Sequence, residues 1–269
     1  MPGAPGGRGE MRVADYTTSE LMVSRASREL KNGDVVFVGI GVPSLAVNLA
    51  YRMHAPGLCM IYESGAVGCV PTRLPISIGD PCLVTGSLAV VPMLDVFNLY
   101  LQNGLIDVGF LGGAQVDRFG NINSTVIGDY RKPKVRLPGS GGACEIAALA
   151  KRVVITIANS KRTLPEKVDF VTSPGYLGGG RERERLGLKG GPELVITDMG
   201  VYRFDPETRE MVLVSIHPGL SVAKIKENIG WDLKVAPDLT ETPPPSAEEI
   251  RIIRDELDPQ GIFLRSKAG

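Results

Sequence analysis

Glu63 ends the apolar run Leu58-Cys59-Met60-Ile61-Tyr62 and is followed at once by Ser64-Gly65. Five apolar residues in a row read as a buried strand, and a glycine two residues past the charge lets the backbone turn sharply. Ionised carboxylates are rarely buried without a partner. One at the tip of a core strand therefore has two readings: a nucleophile or base at the mouth of a cleft, or an acid that binds a ribose.

Three glycine-rich turns accompany it. Gly39-Ile40-Gly41 follows the apolar stretch Val35–Val38, with Ser44 three residues on and Glu63 beyond the next helix. That pattern is close to a dinucleotide fingerprint in which Ser44 replaces the third glycine; it is equally a tight strand-to-helix turn. Gly112-Gly113-Ala114-Gln115 follows a second apolar strand, and Gly139-Ser140-Gly141-Gly142-Ala143 precedes an alanine-rich helix. Helix N-termini leave backbone N–H groups pointing outward, where they can hold an oxyanion or a phosphate. Either turn alone reads equally as an ordinary loop, but three of them at strand or helix ends of one α/β chain are harder to dismiss as loops.

The elements that must position these residues are well punctuated. A capping box, Thr17-Thr18-Ser19-Glu20, opens a first helix with Leu21, Met22, Ala26 and Leu30 on its apolar face, and Asn32-Gly33 stops it. Val35–Val38, a helix starting at Pro43 and running to about Met53, and Leu58–Tyr62 form a β-α-β unit. A short strand is expected near Leu83, a helix over 92–102 and a strand over Ile106–Leu111. A hairpin into Ile122–Ile127, a helix over Ala143–Ala150 and a strand over Val153–Ala158 follow. The last third reads as antiparallel: Leu194–Thr197, Val201–Phe204 and Met211–Ile216. Asp232–Pro245, with three consecutive prolines, reads as a linker. A second capping box, Ser246-Ala247-Glu248-Glu249, opens a final helix carrying Ile250, Ile253 and Leu257. The expectation is an α/β fold, an open, mostly parallel but partly mixed sheet flanked by helices. One domain is expected over 16–269, after a disordered tail over 1–15.

Composition narrows the function. Of 269 residues 43% are hydrophobic and 22% charged, and Lys+Arg and Asp+Glu balance at 30 each. That balance gives no footprint for nucleic acid or an anionic membrane. No apolar stretch reaches the ~18–20 residues of a membrane span, and the N-terminus lacks a signal-peptide core. Cys59, Cys69, Cys82 and Cys144 form no CxxC pair and have no histidine at ligand spacing, so no metal site is expected. Reduced, buried thiols in a cytoplasmic protein are expected instead. His54 and His217 are isolated, and no serine or cysteine has a nucleophile-elbow context, which argues against a Ser-His or Cys-His hydrolase. The alternating charges of Gly178-Gly179-Gly180-Arg181-Glu182-Arg183-Glu184-Arg185 nearly cancel and read as a solvated or subunit-facing loop.

Taken together, these segments resemble the β subunit of a family I CoA-transferase of the glutaconate CoA-transferase type. The motifs are ESG at 63–65, GGAQVDRFGNINST at 112–125, IGDY at 127–130, GSGGA at 139–143, VDFVTSPG at 168–175 and RERLGL at 183–188, in a match running from about Tyr16 to Leu264. The resemblance implies the CoA-transferase fold and a partner α subunit, in a heterodimer or an α2β2 or α4β4 assembly, with the active site between the subunits. It implies acyl-CoA and carboxylic acid as substrates and no permanently bound cofactor. It places the nucleophile on Glu63 and ping-pong transfer through a glutamyl-CoA thioester, a transferase of sulfur-containing groups. By the same resemblance Gly139, Gly141, Gly142 and Ala143 serve the oxyanion or CoA. Gly39, Gly41, Ser64, Gly65, Gly112, Gly113 and Gln115 shape the cleft. Two alternatives remain within reach: a hydrolase or decarboxylase of CoA esters on the same fold, and a dinucleotide-dependent oxidoreductase. A non-catalytic partner subunit is a third.

Overall fold

The computed structural model describes residues 16–264. The tail expected over 1–15 and the last five residues of the expected domain lie outside them. The capping box forms as the sequence predicts: Thr17 accepts from the Glu20 N–H, Glu20 returns the bond, and helix α1 runs Thr18–Ser27. Strand β1 (Val35–Phe37) leads through Gly41 into α2 (Val42–Met53), whose first turn holds Pro43. Strand β2 (Cys59–Ile61) turns at Glu63-Ser64-Gly65 into the short β3 (Ala66–Val67), which pairs antiparallel with β4 (Ala89–Val90). Helix α3 begins as an α-turn, Met93–Asp95, and widens into a π-helix, Val96–Leu101. Strand β5 (Val108–Leu111) follows, then the hairpins β6 (Gln115–Val116)–β7 (Ile122–Asn123) and β8 (Val126–Gly128)–β9 (Pro133–Arg136). Then come α4 (Ala143–Leu149), β10 (Arg152–Thr156), α5 (Glu182–Arg185) and β11 (Pro192–Ile196). The chain ends through β12 (Gly200–Phe204), β13 (Met211–Ile216), α6 (Val222–Glu227), β14 (Lys234–Glu241) and α7 (Ala247–Arg251), the last extended by a π-turn over Ile252–Leu257.

One ten-stranded sheet runs through the described residues in the order β14-β13-β12-β11-β10-β5-β1-β2-β3-β4. Strands β11, β10, β5, β1 and β2 are parallel neighbours, and antiparallel strands flank them on both sides. The chain leaves β1 for β2 on one side and then returns to β5 on the other. The reversal falls between β1 and β5, and their carboxyl ends are where open α/β sheets place ligands. One core packs α1, α2 and the C-terminal helix on one face, around Val36, Met60, Tyr62, Val108 and Val154. The other packs α3 and α4 on the opposite face, around Phe37, Ile61, Leu111, Val153 and Ile155.

Four expectations are corrected. Leu83 lies in a 3-10 turn, Pro81–Leu83, capped by Asp80, whose carboxylate accepts from the Cys82 N–H; the strand comes later, at Ala89–Val90. The expected linker contains β14, an edge strand parallel to β13. Its register slips between Leu213 and Ser215, opposite the stretch holding Pro237, because proline is tolerated only at edges and bulges. Local alternation cannot reveal such a strand. The alternating-charge loop is not simply solvated. Glu182–Arg185 is a helical turn, and Arg183 is 2% exposed, with its guanidinium donating to the carbonyls of Ala147, Ala148, Pro174, Gly175, Lys189 and Gly190. The cysteines are unpaired, but only Cys69 is buried; Cys59, Cys82 and Cys144 are half-buried.

Candidate active site

Glu63 and Ser64 form the tip of the β2–β3 hairpin. The Gly65 N–H donates to the Tyr62 carbonyl at 2.9 Å and the Tyr62 N–H to the Ala66 carbonyl at 3.0 Å, closing a three-residue loop. Gly65 sits at φ +112, where only glycine is unstrained, and an added Cβ would overlap the Val91 carbonyl oxygen. Its own carbonyl accepts from the Val91 N–H at 3.0 Å, so β4 braces the hairpin. Behind the tip, Tyr62 is buried and its hydroxyl lies 3.3 Å from Ser44 Oγ on α2. Burial pushes the Tyr62 phenol well up, so it stays neutral. Ser44, which stands where a dinucleotide fingerprint has its third glycine, thus ties the end of β2 to α2.

Side chains alternate along a strand, so Tyr62 faces α2 and Glu63 faces the α3–α4 side. Glu63 is half-buried, and its Oε1 lies 3.2 Å from the point where a Cβ on Gly142 would stand. Helix α4 delivers the chain to Arg152 at the start of β10, so its N-terminus lies at the carboxyl end of the sheet beside Glu63. Gly109 lets α4 approach β5 closely, since a Cβ there would strike Ile146. The carboxylate therefore points away from the Gly39–Gly41 turn that a ribose-binding acid would serve.

The glycine turns meet at this end of the sheet. Ala114 N–H donates to the Asn123 carbonyl at 2.9 Å, and the adjacent Ser124 exchanges bonds with Gly139: its hydroxyl donates to the Gly139 carbonyl at 2.8 Å and its carbonyl accepts the Gly139 N–H at 2.9 Å. The Ala143 N–H donates to the Ser140 carbonyl. Gly139 and Ala143 thus use their amides to shape the loop, while among the described residues the N–H groups of Gly141 and Gly142 have no partner. Gly113 packs on Ile122, and Gly112 lies exposed near the Thr156 carbonyl. Gln115 is buried and holds structure: its Oε1 accepts from Asn123 Nδ2 and the Asp169 N–H, and its Nε2 donates to Asp169. Gly39 and Gly41 (φ +84) shape the turn into α2, with open space beside Gly41.

Sequence reading missed two residues here. Ser124 links two glycine turns, yet a serine in a hairpin carries no signal of its own. Phe97 reaches the same spot beside Gly142 as Glu63 does, but one aromatic in an apolar helix reads as core. Both histidines are structural. His54 Nε2 meets the Leu30 carbonyl, and buried His217 bridges Thr242 and the Thr197 carbonyl. Among the described residues no group of His, Cys, Asp or Glu is gathered as metal ligands would be, and no helix is long and apolar enough to cross a membrane.

A hairpin-borne carboxylate thus lies beside the glycine turn that opens α4, at the carboxyl end of an open α/β sheet, where ligands of such sheets are placed. Residues 19–228 match the Coenzyme A transferase family. The chain is 50% identical over 243 residues to the B-type subunit of 3-oxoadipate CoA-transferase from Pseudomonas knackmussii, covering 90% of this chain and 94% of that one. The crystal structure of glutaconate coenzyme A-transferase from Acidaminococcus fermentans superposes with a TM-score of 0.89 at 38% identity, covering 94% of this chain and 98% of that one. That of the decarboxylase AibA/AibB superposes with a TM-score of 0.78 at 28% identity, covering 93% and 98%. The chain belongs to the coenzyme A transferase family and has its α/β fold.

Proposed function

We propose that this chain is the β subunit of a heteromeric CoA-transferase that moves CoA between an acyl-CoA and a carboxylic acid, with Glu63 as nucleophile. The observation that carries this reading is the placement of Glu63 at a braced hairpin tip, its Oε1 against Gly142. A Glu63 oxygen attacks the thioester carbonyl, the C–S bond breaks, and an acyl-glutamyl anhydride and CoA thiolate result. The thiolate attacks the glutamyl carbonyl, leaving glutamyl-CoA and the free acid. An acceptor carboxylate runs the two steps in reverse, a ping-pong course. Each attack puts negative charge on a carbonyl oxygen, and the Gly141 and Gly142 N–H groups are the free donors beside it; Gly139 and Ala143 hold the loop in shape. The thioester's energy is kept in the intermediates, so CoA enters as a substrate and no permanently bound cofactor is assigned.

The acids that give the two transferase relatives their names, 3-oxoadipate and glutaconate, are dicarboxylic, which supports a dicarboxylic acid as the group exchanged. The 3-oxoadipate relative is named as one subunit of its enzyme, which supports a companion α subunit here, in a heterodimer or an α2β2 or α4β4 assembly. So does the apolar surface beside the hairpin: Leu88 is 83% and Leu94 71% exposed. Four unpaired cysteines suit a reducing compartment, hence the cytoplasm. The fold shared with a decarboxylase favours one second reading, decarboxylation or hydrolysis of a CoA ester without transfer. The two separate in one experiment. The α/β complex is incubated with succinyl-CoA, glutaconyl-CoA or 3-oxoadipyl-CoA, reduced with borohydride and examined by mass spectrometry, with Glu63→Gln alongside. Modification of Glu63, new CoA ester in the presence of acceptor acid, and loss of both in a folded Glu63→Gln complex are expected. An unmodified chain with every donor, or transfer retained by Glu63→Gln, overturns the assignment.

A further inference from the structure

A Cβ built on Gly142 would lie 2.5 Å from Phe97 Cζ, 2.7 Å from Phe97 Cε1 and 3.2 Å from Glu63 Oε1. The Phe97 ring, the backbone at the start of α4 and the carboxylate therefore converge on one spot. Gly142 has φ −77 and ψ −3, a conformation open to any residue. Glycine is required there for space and not for backbone freedom.

Phe97 is held firmly in place. It is 8% exposed, its ring lies 5.7 Å from that of Phe37 on β1 at a 48° tilt, and it belongs to the core with Ile61 and Val67 on either side of the hairpin. It sits in the π-helical part of α3, where its carbonyl accepts from the Gln102 N–H five residues on. A π-turn rotates side chains out of α-helical register, and such turns are common at functional sites. Ring atoms Cζ and Cε1 are the part of Phe97 that reaches this spot, so the ring crowds the space beside the Glu63 carboxylate.

We propose that Phe97 is a positioning residue. It holds the Glu63 carboxylate against the Gly142 backbone and keeps water away from the thioester that forms on that carboxylate. This rests on the reading of Glu63 as the nucleophile. A glutamyl-CoA thioester has two competing fates. Attack by an acceptor carboxylate continues the transfer. Attack by water forms a C–O bond at the glutamyl carbonyl and breaks the C–S bond. CoA leaves as thiol, Glu63 returns as carboxylate with release of a proton, and the net reaction is hydrolysis of acyl-CoA. A rigid ring beside the glutamyl group blocks water, and the same ring limits the rotamers from which Glu63 attacks.

The test uses the α/β complex with succinyl-CoA as donor and 3-oxoadipate or glutaconate as acceptor, measuring new CoA ester and free thiol together. Phe97→Ala and the milder Phe97→Leu are expected to raise the ratio of free CoA to transferred CoA by about tenfold or more. The kcat for transfer should fall by about tenfold to a hundredfold, with KM for acyl-CoA little changed. The released thiol must vanish in Glu63→Gln/Phe97→Ala. Gly142→Ala keeps the amide N–H and adds only the crowding methyl group; it should lose most transfer, and Phe97→Leu in the same chain should restore part of it. A Phe97→Leu complex, folded by circular dichroism, with the wild-type ratio of hydrolysis to transfer overturns the proposal. So does Gly142→Ala with wild-type turnover. If Glu63→Gln itself retains transfer, the nucleophile assignment fails instead, whatever Phe97 does.

Discussion

Gly65 shows how much one position can carry. Its positive φ and the carbonyl of Val91 against its α-carbon leave no room for a side chain. Gly65→Ala therefore has to shift β4 or flatten the turn that presents Glu63. We expect a loss of about 1–3 kcal/mol in stability, read by thermal unfolding, and a larger relative fall in the rate of CoA transfer than in acyl-CoA affinity. That Glu63 ends a core strand at a sharp turn is legible from its neighbours: a charge closing a five-residue apolar run, then a glycine. That Gly65 answers to Val91, and that Phe97 stands beside Glu63, is not legible, because each depends on a segment far along the chain.

At the scale of elements, both capping boxes are readable from sequence, but they also do something the sequence does not announce. Glu20, at the start of α1, binds Arg254 of the C-terminal helix, and Glu249, at the start of α7, binds Arg28 just beyond α1. Each carboxylate closes its own cap and pins the other helix. Burial alone would raise the Glu249 pKa, but hydrogen bonds from Arg28, the Ser246 N–H and the Ser24 hydroxyl outweigh it, and the net shift is downward. A carboxyl whose folded pKa is depressed contributes fully above its unfolded value, about 4.3, and loses that contribution as the pH falls through the folded pKa. Glu249→Gln should therefore cost about 2 kcal/mol at neutral pH. The gap to the wild type should close as the pH is lowered toward 2, as followed by chemical denaturation across pH. The elements the sequence hid, β14 and the α5 turn around Arg183, lack periodicity. One is an edge strand interrupted by proline, and the other is held by a buried guanidinium among carbonyls.

Across the whole molecule, the stretch from Pro81 to Ile106 carries a single charge, Asp95, and exposes Val84, Leu88, Val90, Leu94, Leu99 and Leu105. It includes the edge strand β4, and it wraps the hairpin that holds Glu63. An apolar edge of this kind is an association surface or a liability. Leu88→Asp combined with Leu94→Asp should weaken assembly with the partner subunit by about tenfold or more, measured by sedimentation, while the isolated chain keeps its circular dichroism spectrum. The sequence by itself determined the parts that depend on near neighbours: parallel core strands, capped helices, glycine turns, and a carboxylate that does not fit a core. Period and propensity act over a few residues, so these are written locally. Only the tertiary structure decided that β1 lies between β2 and β5, so that glycine turns from three separate parts of the chain share one end of the sheet. It also decided that Glu63 turns toward α4 and away from the Gly39–Gly41 turn. The alternation of side chains along β2, and the close packing of α4 on β5 that Gly109 permits, set that direction, and packing between distant segments is a property of the assembled sheet.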